Sequence, residues 1–208
     1  MLYQGEELPV LLALSDPGAL DNEYIQQLIP LLPIEFYAHL TPGVEEGFLN
    51  QFSTTDCGSH YKMGLQDRSQ IKSVNTEHTD LLTEQDREEI QALYQESYPG
   101  NSFDPRMLLT RKFYGYRKNG YLLSVGGIHV FSPAYRVAAL GNITTHPEYR
   151  NQGMGRAVTA KLCVSLLENV DIIGLNVKQD NLPAINLYNS LGFTISAEYG
   201  EFSLKNLL

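Results

Sequence analysis

The segment Asn142-Ile-Thr-Thr-His-Pro-Glu-Tyr-Arg-Asn-Gln-Gly-Met-Gly-Arg156 sets Gly153 and Gly155 between a β-branched run and an apolar run at helical spacing. Read as strand, turn and helix start, it presents backbone N–H groups that no helical carbonyl can pair, reinforced by the positive end of the helix dipole. Such a start suits a pyrophosphate, and glycine lets a ligand come close to the main chain. A Walker A loop needs Gly-x4-Gly-Lys-Ser/Thr, which is absent, and a dinucleotide fingerprint needs a third small residue where Val158 stands. The bland alternative is that the two glycines only shape a turn.

A second segment, Asn181-Leu-Pro-Ala-Ile-Asn-Leu-Tyr-Asn-Ser-Leu-Gly-Phe193, follows after a further apolar strand. Together the two resemble the GNAT superfamily of acyl-CoA-dependent N-acyltransferases. Its signature is Arg/Gln-x-x-Gly-x-Gly/Ala after a strand and then Asn-x-x-Ala-x-x-Leu-Tyr-x-x-Leu-Gly-Phe. Arg150, Gly153 and Gly155 match the first part; Asn181, Ala184, Leu187, Tyr188, Leu191, Gly192 and Phe193 match the second. The resemblance covers residues 71–208, and the run from Gly126 onward is most similar to the branch of glycine N-acyltransferases and their bacterial relatives. It implies an α/β fold with a mixed sheet, the acyl-CoA N-acyltransferase fold, preceded by a small N-terminal domain over 1–70.

The same resemblance implies the roles of particular residues. The donor, acetyl-CoA, would lie between two splayed strands, the one ending at Thr145 and the one ending at Val177. The main chain of Ile143, Thr144 and Thr145 would face the acyl-pantetheine arm. An amide aimed at a developing oxyanion contributes about 3 to 4 kcal/mol, so backbone placement matters more there than side-chain identity. The amides of Asn151, Gln152, Gly153, Met154, Gly155 and Arg156 would take the pyrophosphate, with Arg150 and Arg156 adding charge. Asn181 would contact the cofactor arm while capping its own helix. Tyr188 would donate a proton to the departing thiolate, since a phenol with a pKa of about 10 is protonated at neutral pH. From spacing alone Tyr188 is a packed aromatic one turn from Ala184 and Leu191; only the resemblance makes it an acid.

The acceptor amine is harder. An amine of pKa about 10.4 is almost entirely protonated at pH 7, a handicap of about 4 to 5 kcal/mol that a base or a desolvating site must offset. Relatives often carry a glutamate five residues before the asparagine equivalent to Asn181. Here Asn176 stands there, and a carboxamide cannot take a proton. His129 has the right pKa range and lies near Gly126-Gly127, where a ligand can approach the backbone; Glu148, Glu198 and Glu201 remain alternatives. Cys163 lies inside a helical pattern and Cys57 in the N-terminal part, and neither has an adjacent base, so amine attack within a ternary complex needs no covalent enzyme intermediate.

The elements that must position these residues follow from periodicity. Thr83 and Asp86 form a capping-box-like start for a helix over Thr83 to Ser97, ended by Pro99 and Gly100, and a second short helix spans Asp104 to Thr110. Strands over Lys112 to Arg117, Tyr121 to Phe131 and Ala138 to Thr145 are antiparallel, the first two joined by a Lys118-Asn119-Gly120 turn. A helix over Gly153 to Glu168, a buried strand over Asp171 to Val177, a helix over Leu182 to Leu191 closed by Gly192, and a strand over Phe193 to Leu204 complete the domain. A short strand at Ile71 to Val74 opens it. Residues 1–70, with Pro9, Pro17, Pro30, Pro33 and Pro42, read as a small irregular domain with one helix over Asp21 to Leu32 that the last prolines end.

Two hundred and eight residues, 43% hydrophobic and 19% charged, suffice for a core and are too apolar for disorder. Fifteen basic against twenty-four acidic groups give −9, which opposes binding to a phosphate backbone and excludes nucleic acid as the main partner. Residues 1–70 hold two basic and ten acidic groups, acidity that either solubilises or draws a cationic substrate. No apolar run reaches a membrane span, and a start carrying Glu6 and Glu7 lacks the cationic opening of a secretory signal, so the cytoplasm is expected. His39, His60, His78, His129 and His146 share no ligand spacing and the cysteines form no CxxC pair, so no metal is expected. The expected partner is a small-molecule or protein amine, with a homodimer left open. The alternatives are a non-catalytic acyl-CoA-binding regulatory module and nucleotide binding through the glycine turn.

Overall fold

The structure is a computed structural model that describes residues 1–3, 8–16, 19–20 and 22–207. Glu6, Glu7, Pro17 and Asp21, the expected first residue of the N-terminal helix, lie outside the described residues. In chain order the elements are β1 (Leu2–Tyr3), β2 (Val10–Ala13), α1 (Asn22–Leu28), β3 (Glu35–Leu40), β4 (Phe52–Leu65), α2 (Ser69–Lys72), β5 (Thr79–Leu81), α3 (Arg87–Ser97), β6 (Tyr114–Lys118), β7 (Tyr121–Ser132), β8 (Val137–Thr145), α4 (Met154–Leu166), β9 (Ile172–Lys178), α5 (Leu182–Ser190) and β10 (Phe193–Asn206). Two compact units result: Met1–Lys62 with Val177–Asp180 and Ile195–Leu208, and Met63–Asn176 with Asn181–Thr194.

In the first unit the strand order is β1-β2-β3-β10-β4, with β2 parallel and β10 antiparallel to β3. Alternation along β3 turns Phe36, Ala38 and Leu40 inward and Tyr37 and His39 to the other face. The inner face packs on Ile25 and Ile29, and Phe36, Phe48 and Phe52 meet edge to face with centroids 5.4–6.2 Å apart. Pro30 turns α1 into a 3₁₀ turn over Ile29–Leu31, as its missing N–H requires. The expectation of an irregular N-terminal part is corrected: β3 and β4 are regular strands whose partner β10 comes from the chain's far end.

The outer face gathers titratable groups. Burial lowers the pKa of His39, with Lys62 and His60 adding to the effect against the pull of Glu201. The folded protein thus binds fewer protons here than the unfolded chain, and this contribution is complete above the ordinary histidine pKa of about 6.5 and falls away below it. We expect Tm to drop on acidification through that range and to drop less in His39→Asn; parallel curves for the two proteins would contradict this.

In the second unit the order is β9-β8-β7-β6-β5, antiparallel except for the β8/β9 pair. Successive glycines on β7 open its two faces. A Cβ on Gly126 would lie 2.9 Å from Val158 of α4, and one on Gly127 would lie 2.2 Å from Phe113. Phe113 meets Phe103 edge to face, and Phe103 in turn meets the Tyr94 ring of α3, so α3 and α4 cover opposite faces. The hairpin turn is as expected, with Asn119 at φ 53° and Gly120 at φ 84°. The Thr83/Asp86 capping box forms, Asp86 accepting from the Thr83 amide at 2.7 Å. Pro105–Thr110 is a 3₁₀ turn capped by Asp104.

The strand expected at Ile71 to Val74 is corrected: Ile71 and Lys72 end α2, and Ser73 and Val74 follow it as turn and bend. Asp67 Oδ1 accepts from the Ser69 amide at 2.9 Å and its hydroxyl at 2.6 Å, so a helix start is built before the β-branched residues arrive. No described helix is long and apolar enough to cross a membrane.

Candidate active site

β8 and β9 pair only over Val137–Ala139 against Ile172–Gly174; beyond that register the strands part. Asn142 sits at φ 53°, where Val125 pairs with Thr144 but Gly127 with Gly141, so β8 carries a bulge at the mouth of the gap. The bulge is anchored. Tyr94 Oη donates to Asn142 O at 2.6 Å, and the Ser102 amide donates to Asn142 Oδ1 at 3.3 Å. Beyond it, Ser124 Oγ donates to Thr144 O at 2.8 Å, and Thr144 Oγ1 to Ser97 Oγ at 3.1 Å. Ile143, Thr144 and Thr145, the residues expected along the acyl arm, are thus held on the stretch of β8 that has left β9.

After Thr145 the chain makes a 3₁₀ turn over Pro147–Tyr149 and enters α4 through Asn151 at φ 60° and Gly153 at φ 81°. The amides of Asn151, Gln152, Gly153, Met154, Gly155 and Arg156 make no hydrogen bond among the described residues; the first closed bond of the helix runs from the Ala157 amide to Gly153 O at 2.9 Å. Gly155 packs closely: a Cβ there would lie 3.1 Å from Thr145 Oγ1 and 3.3 Å from Leu187 Cδ1, a fit to which those side chains would have to yield. The two arginines brace this turn. Arg150 Nε donates to Thr145 O at 3.2 Å, and Arg156 Nε to Ser190 Oγ at 3.3 Å.

Asn181 caps α5, its Oδ1 accepting from the Ala184 amide at 3.2 Å. Tyr188 is buried on that helix, its ring 5.9 Å from Phe193. Its Oη has no hydrogen-bond partner among the described residues. Burial raises its pKa, and Tyr98 and Cys163 push in the same direction, so the phenol keeps its proton. Tyr98, in the loop after α3, is a neighbour that no motif in the sequence marks. Cys163 is fully buried and its thiol is pushed up to about 12, which leaves it inert as a nucleophile at neutral pH.

His129 occupies a second irregularity, where the β7/β8 register shifts between Ile128 and Val130. Its exposed ring lies over Gly141, where a Cβ would come within 2.2 Å of it, and its Nε2 is 3.2 Å from Ser102 Oγ. Asn176 is exposed on β9 and Glu148 on its turn. Glu201, on β10, belongs to the first unit, where it accepts hydrogen bonds from Tyr37 and Tyr199. No group of acidic, histidine or cysteine side chains among the described residues is arranged to hold a metal ion.

The family model described as Acetyltransferase (GNAT) family matches residues 75–193, more than half of the chain. The chain is 44% identical over 57 residues to the [ribosomal protein bS18]-alanine N-acetyltransferase of Escherichia coli (strain K12), covering 27% of this chain and 38% of that protein. It is 29% identical over 93 residues to the UPF0157 protein YqkA of Bacillus subtilis (strain 168), covering 43% of this chain and 26% of that one. The matches therefore span well under half of either relative. Among solved structures, a GNAT-family protein from Novosphingobium aromaticivorans is similar with a TM-score of 0.65 and 23% identity, over 95% of this chain and 84% of that one. An acetyltransferase of the GNAT family from Colwellia psychrerythraea gives 0.65 at 13% identity, over 92% and 75%. At these identities the structural likeness speaks for the fold, a mixed α/β architecture.

Proposed function

Because the chain belongs to the acetyltransferase (GNAT) family, we propose that it is an N-acetyltransferase that moves an acetyl group from acetyl-CoA to an amine, by direct attack with both substrates bound. The observation that carries this reading is the run of unbonded amides from Asn151 to Arg156, on a turn fed by the end of β8 that has parted from β9. Acetyl-CoA supplies the activated acyl group and the thiol that leaves. The amides of Asn151 to Arg156 bind its pyrophosphate, favoured by the N-terminus of α4. Arg150 and Arg156 fix that turn and add positive charge. The main chain of Ile143, Thr144 and Thr145 orients the acyl arm, and Asn181 meets the arm from the start of α5. Tyr188 holds its proton in a buried setting and delivers it to the departing thiolate.

His129 is the proposed base, relieving the amine of its proton as the new bond forms. We expect His129→Gln to lower kcat by about 100-fold. Gly141→Ala must turn the ring away, and we expect it to lower kcat in the same direction while leaving KM for acetyl-CoA unchanged. Activity within twofold of wild type in both variants would remove His129 from the mechanism.

A small N-terminal domain over 1–70 that shapes acceptor choice, ahead of an acyltransferase domain over 71–208, is part of this proposal. So are the kinship of the run from Gly126 onward with glycine N-acyltransferases and a cytoplasmic setting. The acceptor is a small-molecule or protein amine. A protein N-terminus is favoured by the E. coli relative named for acting on an alanine of ribosomal protein bS18. A second reading, a non-catalytic acyl-CoA-binding module, draws on Asn176 in place of a glutamate. The two separate in a thiol-release screen of the full chain with acetyl-CoA across amines and alanine-initiated peptides. Free CoA produced in step with an acetylated amine supports catalysis, and tight acetyl-CoA binding with no release from any acceptor supports the module.

A further inference from the structure

All of the chain's excess negative charge lies on the first unit: it holds twelve acidic and three basic groups, whereas the second unit holds twelve of each. On the outer face of its sheet one carboxylate sits inside a ring of aromatic and imidazole groups. Glu201 pairs across the β3/β10 ladder with His39, and Tyr199 precedes it by one pleat on the same face. Tyr37 Oη donates to Glu201 Oε2 at 2.7 Å, and Tyr199 Oη to Oε1 at 3.1 Å. From β4, the His60 ring stacks on Tyr199 at 5.3 Å, and from β3 the His39 ring lies 4.9 Å from the same phenol. The Glu201 and His39 side chains keep 19% exposure and His60 keeps 9%, so the cluster is shielded but reachable.

The hydrogen bonding of this cluster is incomplete in a directional way. His60 Nδ1 lies 3.2 Å from Gly58 O, and a carbonyl only accepts, so that nitrogen carries the hydrogen. In the neutral ring His60 Nε2 is then a bare lone pair, and it faces Glu201 Oε1 at 3.7 Å, two acceptors opposed. His39 Nε2 approaches the same oxygen at 3.5 Å. Both separations are too long for hydrogen bonds of useful strength, while a donor with several N–H groups and no lone pair would satisfy the carboxylate and the imidazoles together. Lys62 already holds its ammonium 4.9 Å from the Tyr199 ring centroid, so this aromatic surface accepts that chemistry.

We propose that Tyr37, His39, His60, Tyr199 and Glu201 form a recognition site for a primary ammonium group on the first unit, with Lys62 as the resident cation that competes for it. That the ammonium is carried by the acetyl acceptor rests on the N-acetyltransferase reading above; the binding does not.

The test is a titration of the full-length protein with n-propylammonium chloride, and separately with sodium propionate, at neutral pH and physiological ionic strength, following histidine ring carbon resonances. The His39 and His60 signals are expected to move with the ammonium and not with the carboxylate. Glu201→Gln is expected to weaken binding about tenfold, the scale of a lost hydrogen bond to a charged group. Lys62→Met is expected to tighten it about threefold. These opposite signs separate ligand binding from a structural role, which would move Tm in either variant without changing the propylammonium affinity. Movement of the two signals with propionate alone, or an affinity indifferent to both substitutions, overturns the inference. Failure of every amine to release CoA would instead count against the N-acetyltransferase reading while leaving the ammonium titration as it stands.

Discussion

Tyr188→Phe is expected to lower kcat by a factor of about 10²–10⁴ while leaving the affinity for acetyl-CoA unchanged. The substitution removes one oxygen and nothing else of consequence. The Phe193 contact at 5.9 Å is ring to ring and survives, and the hydroxyl makes no hydrogen bond among the described residues whose loss would perturb the fold. What disappears is a proton held in place by burial and by the neighbouring Tyr98 and Cys163, each of which disfavours the phenolate. The proton is therefore present at neutral pH, and the proposed role is to pass it to the thiolate as that group leaves. Steady-state kinetics with an acceptor from the screen, together with acetyl-CoA titration of the variant, check the expectation. An unchanged kcat would strip Tyr188 of the role that the motif assigns it.

Gly192→Ala is expected to cost about 3 kcal/mol or more, a fall in Tm of roughly 6 to 12 °C at this chain length. Two penalties act at one residue. Its φ of 87° lies in the left-handed region that L side chains resist, and a Cβ would lie 2.1 Å from the backbone oxygen of Asp67. No side chain can swing aside to relieve that clash, because the Gln66 and Asp67 amides are bonded to Gly192 O at 2.9 and 3.0 Å. The glycine thus closes α5 and clasps the segment leading into α2. Because Tyr188 rides on α5, part of the activity should go with the stability. Thermal unfolding of the purified variant decides it, and a Tm within 2 °C of wild type, under about 1 kcal/mol, would contradict the geometry.

Features set by local chemistry were legible in the sequence. The Asn119-Gly120 turn, the Thr83/Asp86 capping box, the Asn181 cap and the glycine after α5 each depend on a few adjacent residues, and each formed as expected. The glycine turn into α4 was legible for the same reason. What depends on partners far along the chain was not. β3 finds β10 across most of the sequence, and alternation in a segment rich in proline did not announce it. Ile71 and Val74 favour a strand by propensity, but Asp67 had already committed the chain to a helix. The parting of β8 from β9 arises from register and a bulge, and neither leaves a motif. The Glu201 cluster was hidden most completely. With Lys62 counted, it draws two residues from each of three strands, and in one dimension they look like scattered polar positions.

The proposed function requires that the turn from Asn151 to Arg156 and the gap beyond β8 accept acetyl-CoA. The most direct measurement is a thermal-shift comparison of acetyl-CoA, CoA, NAD and ATP at equal concentration. A ligand at about 100 times its Kd adds roughly 2.7 kcal/mol, which for a chain of this length is a rise of about 5 to 10 °C. We expect that rise for acetyl-CoA and CoA and no comparable rise for NAD or ATP. Stabilisation by NAD or ATP with no response to acetyl-CoA would contradict it and return the glycine turn to nucleotide binding.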